Sequence, residues 1–104
     1  MKESEIQAYC IKHLRQQGYK VIRLMNTGER GIPDVLVIGL NDLFFIEFKT
    51  QKGRLSKIQK YQMKDLQERG FKTYVIRSLN DLINNLSLTK QEQHNRNQNS
   101  DNNI

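Results

Sequence analysis

"GIPDVLVIGLNDLFFIEFKTQKGRLSKIQKYQ", residues 31–62, is the stretch whose reading decides the fold. Two apolar runs, "DVLVIG" and "LFFIEFK", are joined by "LND", the pattern of a β-hairpin. Asp34, Glu47 and Lys49 are nevertheless set among the hydrophobics. Strand alternation puts Phe45, Glu47 and Lys49 on one face and Phe44, Ile46 and Phe48 on the other. Glu47 and Lys49 therefore project side by side near the end of their strand. Asp34 follows Pro33 at the start of the neighbouring strand, so the hairpin brings its carboxylate towards Glu47.

Two carboxylates converging on one point repel, at a cost that a cation between them removes. Oxygen-only ligands suit a hard ion, Mg²⁺ first and Mn²⁺ close behind, and the cysteine and histidine set that zinc prefers is missing. An isolated E-x-K reads as an ordinary ion pair on a solvated sheet face. The Pro-Asp on the preceding strand turns that reading towards a metal site with Asp34 and Glu47 as its ligands.

Outward from the hairpin, "ESEIQAYCIKHLRQQG" predicts a helix closed by Gly18, and "YKVIRLM" a strand. Ser56 opens a second helix, "SKIQKYQMKDLQERG", with a capping box formed by Ser56 and Gln59 and a stop at Gly70. "FKTYVIR" is a fourth strand, and "SLNDLINNL" a short third helix capped by Ser78. The order αβββαβα makes a small mixed sheet flanked by helices, an α/β (α+β) domain over residues 1–88. Residues 89–104, "TKQEQHNRNQNSDNNI", are polar and read as a disordered tail.

The 104 residues suffice for one domain with one modest core. No apolar run approaches the roughly 18 residues of a membrane span, and the start of the chain, "MKESEIQ", is charged. The single cysteine, Cys10, rules out an internal disulfide and fits a buried place in a reducing, cytoplasmic setting. A net charge of +6 invites a polyanionic partner.

Both helices carry polar residues on their apolar faces. In the first, Ile6, Cys10, Ile11 and Leu14 mark the stripe, Glu3 falls within it, and Glu5 projects from the opposite side. An inward carboxylate at a helix start either favours the dipole or reaches the metal site. Glu3, not Glu5, is the candidate for the second role, with Gln7 one turn further along. In the second helix Gln59 and Gln62 sit among Leu55, Met63 and Leu66. Gln59 has two readings, partner of Ser56 in the capping box or a polar group aimed at a scissile phosphate or attacking water. The basic loop "TQKGRLSK" supplies Lys52, Arg54 and Lys57, and "NTGERG" supplies Arg30. Each is a candidate phosphate contact or a solvated turn residue. His13, at the margin of the first stripe, reads as structural.

The order G-x-P-D, I-E-x-K, G-x-L-S-x-x-Q and then a strand resembles the PD-(D/E)xK nuclease superfamily. More closely it resembles the virus-type replication-repair nuclease (VRR-NUC) domain, from about Glu3 to Asn80. The resemblance implies a restriction-endonuclease-like core, metal ligands at Asp34 and Glu47, and a catalytic lysine at Lys49. It also implies a helix glutamate at Glu3 and a supporting glutamine at Gln59; where that family often has a second helix acid, this chain has Gln7. It further implies a Mg²⁺-dependent DNA endonuclease in a bacterial cell or phage-infected host, with Mn²⁺ as substitute. Stand-alone domains of this kind resemble Holliday junction resolvases, which cut four-way junctions as homodimers. Two rivals stay open: a catalytically silent nucleic-acid-binding module, and a flap, end-processing or restriction-type nuclease on the same scaffold.

Overall fold

Val35 and Val37 on one strand, and Phe44, Ile46 and Phe48 on the next, repeat with a period of two, and all five side chains are buried. They form the inner face of a four-stranded sheet in the computed structural model, which describes residues 1–25 and 27–86. The elements are α1 (Glu3–Gln16), β1 (Lys20–Arg23), β2 (Val35–Ile38), β3 (Leu43–Phe48), α2 (Lys57–Glu68), β4 (Lys72–Ile76) and α3 (residues 79–86). This is the αβββαβα order expected from the sequence. The boundary at residue 88 and the polar segment after it lie outside the described residues.

The sheet order is β1-β2-β3-β4. The first two pairings are antiparallel, and β3 pairs with β4 in parallel. A parallel partner requires a crossover connection, and α2 provides it. The register sets Val35 opposite Ile46, Val37 opposite Phe44, and Phe48 opposite Ile76, so apolar residues form continuous rows. Ile6, Cys10, Ile11 and Leu14 of α1 close over these rows together with Leu82 and Leu86 of α3. Tyr19 and Tyr74 meet Phe44 edge-on, with ring centroids 5.9 and 5.4 Å away.

Local signals end the helices where the sequence places them. The Ser56 hydroxyl accepts the Gln59 N–H at 3.2 Å, and the Ser78 hydroxyl accepts the Asp81 N–H at 3.0 Å. Gly18 and Gly70 follow α1 and α2 with φ of 92° and 96°. Burial of Phe44, Ile46 and Phe48 stabilises β3 by about 1.5–3 kcal/mol each. That sum exceeds the cost of the one buried charged residue on the same strand, Glu47. Among the described residues, no helix is long and apolar enough to cross a membrane.

Candidate active site

Asp34 is positioned by both of its neighbours in sequence and space. Pro33, itself buried, fixes the chain entering β2. The Asp34 Oδ2 atom accepts the backbone N–H of Phe48 at 2.8 Å. That bond ties the start of β2 to the end of β3, where Glu47 and Lys49 stand. Glu47 is 2% exposed, on the face of β3 turned away from the α1 core. Its Oε2 accepts from Gln59 Nε2 at 3.1 Å and lies 3.7 Å from Lys49 Nζ.

Glu3, in the first turn of α1, completes the cluster. One oxygen from each of Glu3, Asp34 and Glu47 lies within 4.8 Å of the other two. Glu5 is occupied elsewhere, its Oε1 accepting the Lys2 backbone N–H at 3.2 Å. The structure thus brings together Asp34, Glu47, Lys49, Glu3 and Gln59 from four elements of the fold.

Burial pushes the Glu47 carboxyl up to about 7, with the Asp34 charge adding to the rise and Lys49 opposing it. Burial also raises the Asp34 carboxyl; the Phe48 N–H pulls the other way, and Glu3 adds to the rise. Three carboxylates thus converge with one ammonium in a partly desolvated corner. A hard divalent cation fits this donor set. Oxygens on opposite sides of one ion are about 4 Å apart for Mg²⁺ and about 5 Å for Ca²⁺, which brackets the observed span.

Gln59 serves the capping box and the carboxylate cluster at once. Its Oε1 accepts the Ser56 N–H at 2.9 Å, completing the capping box, while its Nε2 reaches Glu47. Gln62 instead donates to the Arg30 carbonyl at 3.1 Å, tying α2 to the loop before Asp34. Gly31 in that loop has φ of 78°, and a Cβ there would stand 2.9 Å from the Ile58 backbone. Only glycine admits so close an approach of loop to helix. Arg30, Lys52, Arg54 and Lys57 are all exposed. His13 is half-buried in α1, away from the cluster in sequence.

Arg77, just past β4, has no role in the sequence reading. Its Nη1 donates to the carbonyls of Thr50 and Gly53, both at 2.6 Å, and of Gln51 at 3.4 Å. The guanidinium therefore gathers the loop that continues from Lys49. The available signal was indirect: pairing of β4 alongside β3 sets Arg77 next to Lys49.

The family model described as "VRR-NUC domain" matches residues 1–80. A search of curated proteins gives no match. A solved VRR_NUC domain superposes with a TM-score of 0.75 and 24% identity, covering 82% of this chain and 94% of that one. A solved VRR_NUC domain protein gives 0.69 and 18%, covering 85% and 87%. The two structures show the same fold, and the family match spans the helix, hairpin and α2 residues that build the carboxylate cluster. The chain belongs to the VRR-NUC domain family and is a nuclease-type domain.

Proposed function

We propose that this protein is a divalent-metal-dependent endodeoxyribonuclease that cuts branched DNA during replication, repair or recombination. The observation that carries the reading is the convergence of Glu3, Asp34 and Glu47 beside Lys49. Asp34 and Glu47 would hold the ion, Mg²⁺ or in its place Mn²⁺, with Glu3 at its edge. A bound ion there supplies Lewis-acid polarisation of a phosphoryl oxygen and a water acidified to near neutral pH.

The chain's own residues do the rest. Lys49 neutralises negative charge that builds on the phosphoryl oxygens as the bond breaks. Gln59 holds the Glu47 carboxylate in one orientation, and the Phe48 N–H does the same for Asp34. Arg30, Lys52, Arg54 and Lys57 hold neighbouring phosphates, a contribution that weakens as salt rises. A four-way junction needs two symmetric cuts, which favours a homodimer.

Labelled four-way junction, flap, duplex and single strand, incubated with and without Mg²⁺, test this reading. Paired symmetric cuts in the junction, only with the ion and by a dimer, are expected. Binding without cleavage of any substrate, with Mg²⁺ or Mn²⁺, would make the protein a silent binding module. Cleavage of flaps alone by a monomer would assign it to end processing.

A further inference from the structure

A concavity of about 630 Å³ is lined by residues of α1, of the loop that follows Lys49 and of the start of α3. Met1, Ile6 and Tyr9 line it from the first residues and α1, Thr50 and Lys52 from the loop after β3, and Leu79 from the start of α3. The cluster and the concavity share two elements. Ile6 lies three residues, about 4.5 Å of helix rise, beyond Glu3, and Thr50 directly follows Lys49. Tyr9 is 53% exposed and Leu79 36%, so an aromatic ring and an apolar surface face solvent there. Lys52 and Arg77 line the concavity, and among the described residues no carboxylate does. Of the acids nearest in sequence, Glu5 accepts the Lys2 backbone N–H at 3.2 Å and Asp81 accepts the Arg77 backbone N–H at 2.9 Å.

We propose that this concavity is a nucleobase subsite. It takes the base of a nucleotide next to the phosphate at the carboxylate cluster, with the Tyr9 ring stacked on the base and Lys52 on its phosphate. An apolar floor with a cationic rim matches the two halves of a nucleotide, a flat π-face and an anionic phosphate. Tyr9 lies six residues, about 9 Å of helix rise, beyond Glu3, on the scale of one to two nucleotides, so a strand lying on the cluster can bring a neighbouring base to Tyr9. The inference rests on the nuclease reading above and adds to it a contact that tolerates any base, since every base has a π-face. Strand capture is thereby biased towards nucleotides that are already unstacked, as at a branch point.

The test is a binding measurement in excess EDTA, where nothing is cut. Fluorescence anisotropy would compare a short oligothymidylate with an abasic phosphodiester of the same length. The full chain should bind the base-bearing strand about tenfold more tightly at equal salt. Tyr9→Ala should abolish that preference and leave abasic binding and its salt slope unchanged, and Tyr9→Phe should restore it. A preference that persists in Tyr9→Ala, or is absent from the parent, overturns the subsite. Sedimentation of parent and Tyr9→Ala adds a further check. If the substitution splits a dimer and the preference disappears with it, the concavity seats a second copy and the proposal is overturned. Because binding is read without cleavage, a protein that prefers bases but cuts no DNA keeps the subsite and loses the nuclease reading. Cleavage without base preference does the reverse.

Discussion

Gln59 donates from Nε2 to Glu47 Oε2 at 3.1 Å while its own Oε1 accepts the Ser56 N–H at 2.9 Å. One side chain therefore both starts α2 and orients the most buried carboxylate of the candidate site. Gln59→Ala should cost about 1–3 kcal/mol in urea melts, combining a lost cap with an orphaned buried partner. It should also slow cleavage. Gln59→Glu keeps the cap acceptor but sets a second carboxylate against Glu47, so it should melt closer to the parent while cleaving as poorly as the alanine variant. Parental cleavage by Gln59→Ala would remove Gln59 from the site.

The pH dependence follows from the two raised carboxyls. With its carboxyl at about 7 in the metal-free fold against an ordinary value near 4.5, native Glu47 binds a proton that the unfolded chain has released. Stability of the metal-free protein should therefore be highest below about pH 4.5 for this group and fall as pH rises through about 7. The loss is on the order of 3 kcal/mol, and Asp34 adds to it in the same direction. Glu47→Gln should flatten the profile in denaturant melts at graded pH. Divalent ions compete with that proton, so metal affinity should climb with pH and level off above about 7. A pH-independent affinity between 5 and 8 would contradict the coupling.

Arg77 should matter without touching DNA. Arg77→Ala removes three carbonyl contacts to residues 50–53, worth about 1.5–3 kcal/mol together with the order they impose. Amide hydrogen exchange should rise in that loop and leave the β1–β2 ladder unchanged. Arg77→Lys should rescue little, because an ammonium lacks the planar fork.

Gly31→Ala should be destabilising by about 1–3 kcal/mol, through the positive φ and the contact with the Ile58 backbone. The displaced loop carries Asp34 with it, so metal affinity should fall along with the melting temperature. An unchanged affinity would show that Asp34 is held by Phe48 alone.

Much of this was legible in the sequence because the signals are local. The alternation of Phe44, Ile46 and Phe48, the Ser56–Gln59 box and the Gly18 and Gly70 stops each act within a few residues. Helix periodicity alone favours Glu3 over Glu5, and Glu5 is bonded to the Lys2 backbone. Gln59 shows a limit of such reading: the capping box with Ser56 is local, whereas the bond from its Nε2 to Glu47 joins α2 to β3. Arg77 was not legible, since its partners are 24 to 27 residues away and meet it only through the parallel β3–β4 pairing. The Gly31–Ile58 approach is hidden for the same reason, as glycine in a loop signals freedom but not the neighbour that requires it.

The central claim is that Asp34 and Glu47 hold a divalent ion while Lys49 acts on the phosphate. The most direct measurement is a calorimetric titration of Mn²⁺ into the parent, Asp34→Asn, Glu47→Gln and Lys49→Ala, each assayed in parallel for junction cleavage. Asp34→Asn and Glu47→Gln should lose metal binding and cleavage together and remain folded, because each keeps its shape and an acceptor. Lys49→Ala should bind the ion as the parent does and cleave about a hundredfold or more slowly. Parental cleavage by Asp34→Asn and Glu47→Gln would contradict the account and leave a nucleic-acid-binding module in its place.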